Sequence, residues 1–128
     1  MTQEDKDLLL IDLCARLPYE VKVKVNEDIQ GDFTLIGLTK ERVFTTCEVE
    51  GKFNDFPIEL IKPYLYPFSS MSDEQLPYYI TTLKYSEETR GMVETPNSFD
   101  WLNKNHFDYR GLIEKGLAID ATELVFIK

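Results

Sequence analysis

The chain has 128 residues, 43% hydrophobic and 29% charged, with a formal net charge of −9 from 23 acidic and 14 basic side chains. That length suits one core hiding roughly two-thirds of the surface an unfolded chain exposes, and the composition excludes global disorder. Both signs of charge are interspersed, so the clustered Lys and Arg needed to displace counterions from a phosphate backbone are missing and direct nucleic acid binding is not expected.

The first segment, Met1-Thr2-Gln3-Glu4-Asp5, is acidic where a secretory signal would begin basic. Thr2 and Asp5 stand three apart as a capping box with Asp in place of Glu, which predicts a helix start. Leu9, Leu10, Leu13, Cys14 and Leu17 follow at helical spacing, with Glu4, Asp5, Asp7 and Asp12 mostly opposite, and Pro18 ends the run. The longest aliphatic run here, Leu8 to Ile11, is far short of the ~20 apolar residues that span a bilayer.

From Val21 the period changes to two, with Val23 and Val25 on one face and Lys22 and Lys24 on the other, before a turn at Asn26-Glu27-Asp28. Phe33 to Thr39 and Arg42 to Glu50 read as a hairpin, and Phe53 to Ile58 as an added edge strand because of Pro57. Lys62 to Phe68 holds two prolines and three aromatics, which predicts an extended strap laid on the core. Ser72 and Gln75 form a second capping box ahead of Leu76, Tyr79, Ile80 and Leu83, although Pro77 delays or bends that helix and Thr81, Thr82 and Tyr85 favour a strand. Ser86 to Asn97 shows little period and reads as a loop, followed by a short helix over Ser98 to Lys104 with Trp101 in the core. Asp108 caps a last predicted helix that buries Tyr109, Leu112 and Ile113 and stops at Gly116, and Leu124 to Ile127 form a last strand.

These elements predict a single α+β domain over residues 1–128: a small, mostly antiparallel sheet of about three to five strands, covered on one face by the N-terminal helix and C-terminal helices. Cys14 and Cys47 lie apart among apolar neighbours, without the spacing of a zinc site or disulfide framework, which predicts two buried, reduced thiols in a cytoplasmic protein.

Asn105-His106-Phe107-Asp108-Tyr109-Arg110-Gly111-Leu112-Ile113-Glu114-Lys115-Gly116-Leu117-Ala118-Ile119-Asp120, with Ile61-Lys62-Pro63-Tyr64-Leu65 and Ser69-Ser70-Met71, resembles a family of short proteins of unassigned activity encoded by gut bacteria and their phages or mobile elements. The resemblance implies an intracellular accessory protein and carries no catalytic residue or cofactor with it.

His106, the only histidine, and Asp108 suggest a base with an orienting carboxylate, but groups two apart on a helix diverge and Asp108 has a capping use, so a structural histidine is the plainer reading. Glu48, Glu50, Asp55 and Glu59 offer paired carboxylates, which more simply form a solvated face. No glycine pattern matches a phosphate loop and no residue spacing matches a metal site, so neither cofactor nor metal is expected. Five of the seven tyrosines fall between Tyr64 and Tyr85, more rings than a short strap can bury. Tyr64, Tyr66, Tyr78 and Tyr79 are therefore candidates for a protein-binding patch, against the alternative that they pack strap and helix onto the sheet. The leading expectation is a non-enzymatic accessory protein acting by protein-protein contact. The alternatives are an acidic mimic of nucleic acid that occupies a basic cleft on a DNA-binding or defence protein, and a small hydrolase or ligand-binding protein that uses His106.

Overall fold

A computed structural model of the chain describes residues 1–26, 29, 33–47 and 52–123. Helix α1 (Gln3–Arg16) starts where its capping box requires: the Thr2 hydroxyl accepts from the Asp5 amide at 3.1 Å and the Asp5 carboxylate accepts from the Thr2 amide at 3.3 Å. Its buried face is rotated from the expected one. Leu9, Asp12, Leu13 and Arg16 point inward while Cys14 is exposed, so the prediction of a buried Cys14 is corrected. The rotation has a physical cause: Asp12 and Arg16, four apart, neutralise each other and so can share the inner face with leucines. The Cys47 side chain, the turn at Glu27 and Asp28, and the predicted strand Leu124 to Ile127 lie outside the described residues.

The main sheet joins β1 (Lys22–Lys24), β2 (Phe33–Leu38), β3 (Arg42–Cys47), β4 (Lys52–Pro57), β5 (Lys62–Leu65) and β8 (Ile119–Asp120) in the order β4-β3-β2-β1-β5-β8. Six strands replace the expected three to five, because the proline-rich strap and the residues after Leu117 both join the sheet. β5 pairs antiparallel with β1, and with β8 it forms the sheet's parallel ladder. Pro63 is tolerated inside the sheet because pairing with β8 starts one residue beyond it, at Tyr64 opposite Ile119. Between β2 and β3 the register shifts at Ile36, which turns Leu38 back to the inner side as the partner of Val43.

One face of this sheet and α1 enclose an aliphatic core. Leu9 and Leu13 share one buried cluster with Val21, Val23, Leu35, Val43, Leu65, Leu112 and Leu117. Each such fully buried leucine or valine contributes about 1.5–3 kcal/mol of apolar burial.

Residues 66–118 are built from smaller pieces. Helix α2 (Leu76–Thr81) follows the Ser72–Gln75 capping box, whose two bonds are 3.0 and 3.1 Å, and Pro77 lies in its first turn where a missing amide costs least. The predicted loop at Ser86 to Asn97 is in part a hairpin of β6 (Lys84–Ser86) and β7 (Gly91–Val93). Its strands of three residues are too short for a period to show. Helix α3 (Pro96–Lys104) is capped by Thr95 and Ser98, whose hydroxyls also reach the Thr82 carbonyl at 2.8 Å and so tie α3 to the end of α2.

The predicted helix after Asp108 is replaced by a coil of turns. The Asp108 carboxylate accepts from the Leu112 and Ile113 amides, both at 2.9 Å, which lie one and two residues beyond the reach of a helix N-cap. Gly111, at φ 76°, breaks the helical path between them.

Candidate functional site

Two left-handed turns shape the region where the sequence placed its candidates. After α3, His106 adopts φ 60°; its amide bonds the Asn103 carbonyl and the Phe107 amide bonds the Leu102 carbonyl. Ten residues later Gly116 adopts φ 75°; its amide bonds the Ile113 carbonyl and the Leu117 amide bonds the Leu112 carbonyl. Both are the nested six-to-one and five-to-two pattern that closes a helical turn, normally around glycine. At the first of them the glycine position is occupied by the chain's only histidine.

Tyr66 holds this first turn from the strap: its amide donates to the His106 carbonyl and its carbonyl accepts from the Asp108 amide, both at 2.8 Å. The turn thereby drives Phe107 into an aromatic cluster. The Trp101 ring stacks on Phe107 at 5.6 Å, Phe68 lies 6.3 Å from Phe107, and Tyr79 sits between Phe68 at 6.0 Å and Trp101 at 5.7 Å. The Tyr79 hydroxyl donates to Glu94 at 2.8 Å, and burial together with that carboxylate pushes its pKa up to about 12.

Of the four candidate tyrosines, Tyr66 and Tyr79 are half-buried members of this cluster. Tyr64 is half-buried in β5, and Tyr78 is exposed. Tyr66 and Phe68 of the strap join the packing while Phe68 stays 38% exposed, and α2 and the β6–β7 hairpin present Leu76, Tyr78, Ile80, Tyr85 and Met92 to solvent.

Beneath the first turn lies a buried ion network that the sequence reading missed. Arg16, wholly buried, donates to both Asp12 carboxylate oxygens at 2.9 and 3.2 Å and to the Phe107 carbonyl at 2.6 Å. Arg110 donates to the same Asp12 carboxylate at 2.9 Å, and its guanidinium lies 4.4 Å from the centre of the Tyr109 ring, with the Arg16 guanidinium 5.6 Å from it. Two guanidinium groups therefore share one carboxylate. Tyr109 in turn donates to the buried Asn103 side chain at 3.0 Å. The signal available beforehand was the Asp12-to-Arg16 spacing of four on a helix.

His106 stands against this network. Burial, reinforced by the Arg16 charge, pushes its pKa down to about 4, against the opposing pull of a hydrogen bond with the Tyr19 backbone and of Asp12. Its Nδ1 and the Arg16 Nη1 are both buried without a hydrogen-bond partner among the described residues. Asp108, committed to two backbone amides, does not orient the imidazole. Of the suggested carboxylate set, Asp55 pairs with Arg42 at 2.8 Å and Glu59 with Lys6 at 2.7 Å, while Glu48 and Glu50 lie outside the described residues.

Among the described residues no group of three or more His, Cys, Asp or Glu side chains is arranged to hold a metal ion, and no helix is long and apolar enough to cross a membrane. The chain matches no protein-family model, no curated protein and no solved structure.

Proposed function

We propose that the protein acts by binding another protein through the surface formed by α2 and the β6–β7 hairpin, as an accessory factor of the kind that the phage and mobile-element resemblance implies. One observation carries this reading: within a short stretch of chain, Tyr78, Tyr85 and Met92 are 68%, 57% and 53% exposed, accompanied by Leu76 and Ile80. A folded domain ordinarily leaves large apolar side chains exposed singly, and a concentration of tyrosine and methionine is typical of recognition surfaces. Asp73, Glu74, Glu87, Glu88 and Glu94 flank these side chains, against Lys84 and Arg90. The complementary partner therefore has an apolar centre and a basic rim.

The test is affinity capture from the native host at low and high salt, comparing the wild-type chain with Tyr78→Ser/Tyr85→Ser. Neither substituted ring belongs to the aromatic cluster, so the variant keeps its fold. A protein retained by the wild type, lost by the variant and weakened by salt supports the reading. Identical captured sets from both chains would remove it.

A further inference from the structure

Above the ion network, the strap and the end of α3 leave a groove of about 360 Å³, lined by Tyr66, Ser70, Gln75, Lys104, Asn105, His106 and Phe107. Its size lies at the small end of the range for small-molecule sites. The polar groups around it are already sorted into used and unused. Ser70 donates to the Pro67 carbonyl at 2.6 Å, and the Asn105 side chain donates to the Trp101 carbonyl at 2.9 Å. Gln75 spends its carbonyl oxygen on the Ser72 amide, so its NH2 group remains as a donor. Lys104 is exposed and makes no ion pair among the described residues.

The charge at this place runs against that of the whole molecule. The net charge is −9, yet among the described residues no acidic side chain lines the groove. Behind its His106 wall, Asp12 is the one carboxylate that pairs with Arg16 and Arg110 among the described residues, leaving an excess of positive charge next to an imidazole whose Nδ1 has no partner among them. Lys104, the Gln75 NH2 group and the His106 ring therefore line one groove over an under-compensated cation. This combination favours an anion and disfavours a cation.

We infer that the groove binds a small molecule through one carboxylate or phosphate group, with Lys104 as its charge partner, the Gln75 NH2 group as a donor, and His106 as the group that registers the bound charge. The inference is independent of the protein-contact surface on α2 and the hairpin. Bound negative charge offsets the Arg16 field at His106, so near the imidazole's low midpoint of about 4 binding is accompanied by proton uptake.

Because His106 is the only histidine, its ring proton resonance is an unambiguous reporter. The experiment titrates the whole chain with sodium phosphate and, separately, with sodium acetate, each against sodium chloride at matched ionic strength, and follows the His106 resonance across pH. A saturable shift with phosphate or acetate, accompanied by an upward move in the His106 titration midpoint, is expected. Whichever anion saturates at the lower concentration identifies the ligand group. Lys104→Ala, at an exposed position, and Gln75→Glu, which keeps the oxygen that caps the Ser72 amide but repels an anion, should each weaken binding at least about tenfold. Lys84→Ala on the hairpin should leave it unchanged. Shifts that follow chloride for both anions, or equal effects of Lys84→Ala and Lys104→Ala, overturn the inference.

Discussion

The turns closing at Phe107 and Leu117 have the same hydrogen-bond pattern and a left-handed residue at the same place, but they differ in what occupies that place and in what lies beneath. At Gly116 the conformation carries no side-chain penalty, and Leu117 drops into the aliphatic core. At His106 the same conformation costs about 1–2 kcal/mol for a residue with a Cβ, and Phe107 drops into an aromatic cluster over a buried ion pair. The comparison separates a turn that only closes a chain from one that also holds an imidazole against a guanidinium. Backbone strain kept where glycine would serve points to a use for the side chain.

The difference can be broken most forcefully from below. Asp12→Ala leaves Arg16 buried without its carboxylate and should cost about 3–5 kcal/mol in urea unfolding. Phe107→Ala should cost about 3–5 kcal/mol and Leu117→Ala about 2–5, and only the former should disturb Trp101 fluorescence in the folded state. Acid sharpens the contrast. The unfolded histidine takes up its proton near pH 6.5 and the folded one only near 4, so this contribution to stability is complete above about 6.5 and is lost as pH falls to about 4. The expected loss is about 3 kcal/mol, read as the wild-type change in unfolding free energy between pH 7 and pH 4 minus the same change in His106→Asn, which tolerates the left-handed backbone but does not titrate. The smallest effect tests the backbones alone: Gly116→Ala should cost about 1–2 kcal/mol, while His106→Gly should relieve strain of that order and abolish the acid-dependent term.

What could be read from sequence follows the length of the elements. α1, the β2–β3 hairpin and β4 were legible as elements because each is long enough to express a period or a propensity, and Leu9, Leu13 and Val23 fall in the core as their spacing requires. The capping boxes at Thr2 and Ser72 were equally plain, being local chemistry. The strap's place inside the sheet was not legible, since Pro63 argues for an edge and only the late start of the β8 ladder permits otherwise. Nor was the β6–β7 hairpin, whose strands are shorter than a period needs. The Gly116 turn was visible through its glycine, whereas the His106 turn was hidden because histidine stands in the glycine position. The ion network escaped because the spacing puts Asp12 on the polar side of the helix, and Arg110, which completes the network, is remote in sequence.

That remoteness has a consequence for how the protein is made. Asp12 meets Arg110 across 98 positions of chain, Arg16 meets Phe107 across 91, and the outermost strand pairs Tyr64 with Ile119. A nascent chain leaving the ribosome therefore exposes its first helix with an acid and a base that have only each other until nearly all of the described sequence has emerged. Closure comes late in synthesis, and translation stalled before Phe107 should yield a chain whose α1 remains accessible to protease.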